Sequence, residues 1–456
     1  MKTHAERVVG TTTGLERLVY ALGDLGSNFV WTFCSSFLTL YYTDSVLVSA
    51  ALVGTIMLVC RIFDGFSDIV AGLMIEKTNG KRGKARPWFG ASIIPLVMIQ
   101  LLVFNVPGSL SMSAKVTWIV VTYFVLTVVV YTINNVAYHA MLPRISLTSE
   151  DRNKVSSLRG IFSFIAGLLL AILTPKLLAA GGGEKVQASW TRVALIFSIL
   201  CLIFEGICYL GTREKVAVCA DTENRQRDSH DIKQGIKELL STKYFYITVL
   251  IFIACFIING IFLSTAVFFT RDVFGNADMY ALVAIISILS AVVVMAFAPK
   301  MFSKHGKRNV LLVAAVIGIV GGIIGYVGAQ GLSVPLVFVS TALHGVSLAP
   351  FVAAIFTFAS DIIDYLALKT GERYEGLVPS VSSIGSKVGT GLGSAILGWG
   401  LALGNYDGAL ATQPQSALAA ETFLLFVVPA IASAVCFVCM WFWDIDQKLA
   451  VMRQTK

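Results

Sequence analysis

The chain has 456 residues, of which 56% are hydrophobic and only 14% charged. Soluble domains carry about 25% charged residues, so this composition excludes a soluble globular protein and leaves no room for a sizeable soluble domain. A net charge of +8 would invite nucleic acid as a partner of a soluble protein, but here the basic residues lie between long apolar runs, where they set membrane topology instead.

The first residues, MKTHAERVVGTTTGLERL, are polar, and no short apolar core with a small-residue cleavage site follows. No cleavable signal peptide is expected. Apolar runs near the ~20 residues that span a bilayer then recur about twelve times. Their limits are 18–43, 48–75, 88–107, 116–142, 156–180, 190–211, 244–269, 278–300, 309–329, 334–359, 376–402 and 420–443. A polar stretch, 212–243, separates an N-terminal six-helix bundle, 1–211, from a C-terminal one, 244–456. Within that stretch DIKQGIKELL has the pattern of a short amphipathic surface helix. The expected fold is an all-α membrane protein of two pseudo-symmetric six-helix bundles around a central cavity.

Charge asymmetry orients these spans. The loops after spans two, four, six, eight and ten are rich in Lys and Arg, with Lys81, Arg82, Lys84 and Arg86 after the second and Lys304, Lys307 and Arg308 after the eighth. The alternate loops hold few, such as Lys115 and Arg271. Both termini are therefore expected on the cytoplasmic side. NGKRGKARPW after span two and KHGKRN after span eight occupy corresponding places in the two halves. Repeated halves with a site near the midplane are a transporter architecture.

The second span carries the most informative stretch, RIFDGFSDIVAGLMIEKTNGKRGKARPW, at 61–88. Asp64 and Asp68 are four residues apart and Arg61 three before Asp64, so all three share one helix face. At ~1.5 Å rise per residue, Asp64 lies ~16 Å from the cytoplasmic end of the span, near the middle of a ~30 Å core. Ionisable groups at that depth mark function, whereas the bland reading is a structural ion-pair cluster. Two acids outnumber their one local partner, which favours a further cation. Asp64, Ser67, Asp68 and Thr132 offer oxygen ligands for a hard monovalent cation; the same carboxylates can instead carry a proton. Na⁺ and H⁺ both remain open at this point.

Other polar groups fall within spans: Asp24, Asn135, Arg159 and Lys387. With Thr132 they read as the lining of one polar cavity. His139 reads as a hydrogen-bonded packing residue rather than a proton relay. GTGLGSAILGWG, 389–400, reads as close helix packing by small residues rather than a hinge. Of the eight Cys, Cys436 and Cys439 have metal-like spacing but no nearby His or acid, and read as packing residues. There is no GxxxxGK[ST] phosphate loop and no HExxH. The chain is therefore expected not to be an enzyme and to need no cofactor, with uphill movement powered by an ion gradient. The rival reading is a membrane-embedded enzyme, or a lipid- or lysolipid-handling transporter, using the same buried carboxylates.

The 61–88 stretch, together with YALGDLGSNF, EDRNKVSSLRG and SDIIDYLALKTGERYEGLVPSVSSIGSKVG, resembles the glycoside–pentoside–hexuronide:cation symporters of the major facilitator superfamily over nearly the whole chain. The resemblance implies a plasma-membrane protein that carries a glycoside with Na⁺ or H⁺ by alternating access, as a monomer in the lipid bilayer. It implies that Asp64, Ser67, Asp68 and Thr132 hold the cation, and that Asp24, Asn135, Arg159, Ser383 and Lys387 form the sugar site. Ser67 replaces an amide, Asn135 a carboxylate and Gly23 a Lys found in a family member, so the sugar is left open. A neutral glycoside is expected over an acidic one, because Asp24 repels a substrate carboxylate. Arg152 and Asp361, at corresponding ends of the two halves, are expected to pair as a cytoplasmic gate in the outward-facing state.

Overall fold

The computed structural model describes residues 12–78, 83–146, 149–214, 237–370 and 378–454, with the side chains of 378–384 outside the description. Every long element is an α-helix. In chain order these are α1 (Gly14–Leu40), α2 (Ala50–Lys77), α3 (Arg86–Val103), α4 (Met112–Ile145), α5 (Ser149–Ala180), α6 (Gln187–Gly211), α7 (Lys243–Asp272), α8 (Met279–His305), α9 (Lys307–Gln330), α10 (Val334–Thr370), α11 (Val378–Leu403) and α12 (Gln415–Trp441). A shorter α13 (Ile445–Gln454) follows. Ten of these among the described residues are long and apolar enough to cross a membrane. The remaining two, α1 and α11, have 27 and 26 residues, also enough for a crossing.

Local chemistry explains several boundaries. Thr13 and Glu16 form a reciprocal capping box that starts α1, each side chain accepting from the other's backbone N–H. Gly306, at φ 77°, ends α8 in a conformation that a side chain would strain. The polar run PRISLTSEDRNK, expected as a loop, is mostly helical: α4 continues through Ile145 and α5 starts at Ser149. Asp151 in the first turn of α5 favours this, because an acid there lies at the positive end of the helix dipole. The structure therefore puts Arg159 well inside α5 rather than at its start. Likewise α10 runs to Thr370, nine residues past Asp361, which the sequence reading placed at the helix end. Of the central polar stretch, residues 215–236 lie outside the description, and 237–241 are helical.

The chain forms two compact units, 1–48 with 63–220 and 49–62 with 221–456. In the first, α1 packs on α5 and α6, and α3 on α4 and α6. Its core joins Tyr20, Phe89, Ile93, Tyr138 and Met141 to an aromatic column of Phe29, Phe33, Phe104, Trp190 and Phe197. In lipid such burial gains little from the hydrophobic effect, and tight van der Waals packing supplies the association instead.

In the second unit α11 packs on α7 and on the first half of α2. A Cβ at Gly389 would meet Ile253 O at 2.7 Å, and one at Gly398 would meet Ala50 O at 2.3 Å. The Gly-rich stretch is thus a close-packing surface, as its composition implied. Cys255, Cys436 and Cys439 are buried free thiols in this packing. Val313, Val316, Val320 and Ile323 form an exposed apolar stripe at helical spacing on α9, a surface suited to lipid and unfavourable in water.

Just past α12, Asp444 accepts from Tyr244 Oη at 2.7 Å and pairs with Lys243 at 2.7 Å. Trp443, Ile445 and Leu449 carry α13 into the same core as Phe358 and Leu366. Partial burial alone would raise the Asp444 pKa, but the Lys243 and Tyr244 hydrogen bonds dominate and lower it from 3.8 to about 2. A depressed carboxyl pKa contributes stability above its unfolded value and loses it as pH falls through the folded one. Asp444→Asn should therefore lower thermal stability at neutral pH, by ~1 kcal/mol or less because the pair is partly exposed. In thermal-shift titrations the gap to wild type should close between 3.8 and about 2. A gap that stays constant with pH would show that the ion pair does not anchor α13.

Candidate functional site

Asp64 sits near the midpoint of α2 and is 4% exposed; Arg61, one turn earlier, is 3% exposed. Thr132 Oγ1 on α4 donates to Asp64 Oδ1 at 2.7 Å. Ser67 Oγ donates to the Asp64 main-chain oxygen at 2.9 Å and lies 3.1 Å from Thr132 Oγ1. Asp68 is half-buried one turn further along the same face. Asp64, Ser67 and Thr132 thus form one oxygen-rich cluster. No group of three or more His, Cys, Asp or Glu able to hold a metal occurs among the described residues.

The backbone of α4 adds a feature that the sequence did not reveal. Val125–Tyr131 forms a wider π-turn just before Thr132. Thr132 Oγ1 lies 2.8 Å from the carbonyl of Thr127, as well as 2.7 Å from Asp64. A hydroxyl has one proton and two lone pairs. It can donate to Asp64, or donate to Thr127 and turn its lone pairs to an ion beside Asp64. Such π-turns recur at functional sites.

A second polar group lies in the same unit. Arg159 Nη2 on α5 donates to Asp24 Oδ1 on α1 at 3.0 Å, with the two side chains 13% and 18% exposed. The guanidinium also lies over the Tyr138 ring, 4.7 Å from its centroid. Tyr20 and Tyr138 stack at 4.6 Å, and each hydroxyl donates to the other's main-chain carbonyl, at 2.6 and 2.7 Å. This reciprocal clamp ties α1 to α4 and forms the floor under Arg159. It requires Gly23: a Cβ there would meet Tyr138 Cε2 at 2.7 Å and Cys208 Sγ at 2.8 Å. The absence of a side chain at this position is thus a packing demand of this chain.

The polar residues of α4 follow one face. Thr132, Asn135 and His139 are spaced at i, i+3 and i+7, about 10 Å along the axis. Asn135 is half-buried. His139 is exposed, with Nδ1 3.4 Å from Arg159 Nη2. His139, expected as a hydrogen-bonded packing residue, does lie against the Tyr138 ring and beside Arg159, but on the polar face rather than in the core. On α1, Asn28 donates to the Asp24 carbonyl at 2.7 Å, and Trp31 stacks on Tyr131 at 4.6 Å. Asp24, Asn28 and Trp31 are themselves spaced at i, i+4 and i+7. These neighbouring faces offer hydroxyl-binding groups and an aromatic platform in one unit.

Lys387 is half-buried on α11 in the second unit. Ser383 lies one turn before it, with its side chain outside the described residues. Asp361 pairs with Lys307, also within the second unit, and Lys307 lies over the rings of Phe358 and Trp443. Arg152 stands in the opening turn of α5, half-buried. Sequence reasoning missed the tyrosine clamp, Trp31 and Glu205. Glu205 is a fully buried acid on α6 that accepts from Asn134 at 2.9 Å; an acid within an apolar run was the signal available for it.

The chain matches the family model described as MFS/sugar transport protein over residues 19–447. It is 28% identical over 436 residues to the isoprimeverose transporter of Lactiplantibacillus pentosus, covering 95% of this chain and 89% of that protein. It is 26% identical to the glucuronide carrier protein homolog of Escherichia coli strain K12, covering 94% and 92% of the two. The crystal structure of a D-xylose-proton symporter superposes with a TM-score of 0.66 at 14% identity, covering 93% of this chain and 96% of that one; that likeness concerns the fold alone.

Proposed function

Because the chain belongs to the MFS/sugar transport protein family, we propose that it is a cation-coupled symporter that carries a neutral glycoside across the membrane by alternating access. The observation that carries this reading is Asp64, buried at the middle of a membrane helix and held by the hydroxyl of Thr132. A carboxylate at that depth is costly unless a cation or proton answers it. Na⁺ or H⁺ binds at Asp64 and Asp68, with Ser67 and Thr132 completing the oxygen set. When Na⁺ enters, the Thr132 proton turns from Asp64 to the Thr127 carbonyl, so the hydroxyl becomes an ion ligand without leaving a donor unpaired. When H⁺ is the ion, the proton sits on a carboxylate and Thr132 keeps its bond.

Asp24, Asn135 and Arg159 bind sugar hydroxyls, and the family resemblance also assigns Ser383 and Lys387 to sugar binding. The Asp24–Arg159 pair leaves little unbalanced positive charge for a substrate carboxylate, which favours a neutral glycoside. The relatives named for isoprimeverose and for a glucuronide supply the two probes. The protein works as a monomer in the plasma membrane with both termini cytoplasmic, and Na⁺ or H⁺ is its only non-sugar requirement. The rival reading, a membrane enzyme or lipid handler, is not favoured, since relatives include ones named as an isoprimeverose transporter, a glucuronide carrier protein homolog and a putative glycoside/cation symporter.

In proteoliposomes, a Na⁺ or pH gradient should drive accumulation of unmodified isoprimeverose and not of a glucuronide. Asp68→Cys and Thr132→Val should each cut the cation-stimulated part by about tenfold or more, the usual scale for losing a supporting ligand, while sugar exchange persists. Unchanged cation dependence in both variants would remove the site assignment. Product formation without accumulation would favour the enzyme.

The gate belongs to the same proposal. Asp361 exchanges Lys307 for Arg152 in the outward-facing state. Arg152→Asp and Asp361→Arg should each lose uptake, and their combination should recover it. Absence of recovery, with both proteins folded, would count against the exchange.

A further inference from the structure

Glu205 lies within α6 and is fully buried, as is Asn134, and Ser92 is buried beside them. A Cβ at Gly26 of α1 would come within 2.9 Å of Glu205 Cγ, so the acid is pressed directly against that helix. Asn134 Nδ2 on α4 donates to Glu205 Oε2 at 2.9 Å and to Ser92 Oγ on α3 at 3.1 Å. Ser92 donates its own proton to the Phe89 carbonyl at 2.8 Å. The groups facing the acid are therefore this amide from α4, Ser92 of α3 behind it, the glycine backbone of α1, and the thiols of Cys201 and Cys208 on its own helix. None carries positive charge. Arg159, the cation of the candidate sugar site, is engaged with Asp24.

Two buried acceptors are left over. Glu205 Oε1 and Asn134 Oδ1 each lack a hydrogen-bond donor. A pair of unsatisfied acceptors is costly in a low-dielectric interior, and an ionised carboxylate with a single neutral donor costs more still. One proton removes both faults. Placed on Oε1, it makes an O–H that donates to Asn134 Oδ1, while Asn134 Nδ2 continues to donate to Oε2. Acid and amide then close a ring of two hydrogen bonds. The terminal torsions of the two side chains, which orient the ring, are soft.

We propose that Glu205 holds a proton throughout the transport cycle, as a neutral acid paired with Asn134, and that this pair sets the rotation of α4. Residues two apart on a helix point about 200° from one another. With Asn134 locked toward α6, Thr132 is turned to Asp64, and Asn135 and His139 share its face. Glu205 is thus a positioning residue with a stored proton. It is separate from the coupling ion, because it is sealed by packing and touches neither Asp64 nor Asp68.

The test compares the purified full-length protein with Glu205→Gln by infrared difference spectroscopy near neutral pH. The wild type should show a protonated-carboxyl C=O band that the variant lacks; a carboxylate band in its place overturns the proposal. Gln can make both hydrogen bonds, so Glu205→Gln should retain uptake with unchanged cation dependence. Glu205→Ala strands the Asn134 amide and should lower uptake by about tenfold or more. Combining Asn134→Asp with Glu205→Gln exchanges acid and amide and should restore what Asn134→Asp alone loses. A Glu205→Gln protein as impaired as Glu205→Ala contradicts the neutral pair.

Discussion

The hydrogen bond from Thr132 to Asp64 joins two constraints that a bilayer imposes on this chain. A carboxylate in the middle of a membrane helix cannot stand alone, and a helix in lipid must satisfy its own backbone. The π-turn before Thr132 bends the second rule locally, since the Thr127 carbonyl becomes available to a side chain. The first rule then gives Thr132 a second acceptor in Asp64. A single hydroxyl poised between a backbone carbonyl and a buried acid is a means of accepting an ion without rebuilding the site. The rest of the first unit supports that arrangement: the tyrosine clamp ties α1 to α4 from one side, and Asn134 with Glu205 ties α4 to α6 from the other.

The same helix joins the proposed ion and sugar groups. Thr132 belongs to the proposed cation cluster, while His139, two turns on, touches the Arg159 that pairs with Asp24. A change in the rotation or register of α4 is felt at both places. This gives the proposed coupling a physical carrier, one rigid element that both ligands bias, rather than a chain of unspecified contacts. The close glycine packing of α11 against α7 plays a comparable scaffolding part in the second unit, fixing the helix that carries Lys387.

Charges inside apolar runs were the features most legible in the sequence. Asp24, Asp64, Asp68 and Arg159 stand out because lipid penalises them, and helical spacing alone put Asp64 and Asp68 on one face. The all-helical fold followed from run length, and ten of the twelve expected spans are long and apolar enough to cross a membrane among the described residues. The tyrosine clamp was not legible, because Tyr in an apolar run looks like any aromatic until the partner carbonyl is seen. Gly23 read as a departure from a family pattern, whereas the position of Tyr138 makes it a steric necessity. Glu205 was as visible as Asp64 but had no charged neighbour in sequence, and its partner Asn134 comes from a helix 71 residues away. Helix ends misled for a different reason: polar residues continue a helix into water at little cost, so α5 and α10 outrun the apolar segments that announce them.

The central claim is that cation and sugar bind to one linked system. Affinities measured by calorimetry on the purified protein test it directly, with a neutral glycoside titrated across Na⁺ concentrations at fixed pH and across pH without Na⁺. The account predicts that one of the two ions raises glycoside affinity by about 5- to 150-fold, that glycoside raises affinity for that ion by the same factor, and that Asp64→Asn abolishes both effects. Glycoside affinity independent of Na⁺ and of pH alike would contradict it.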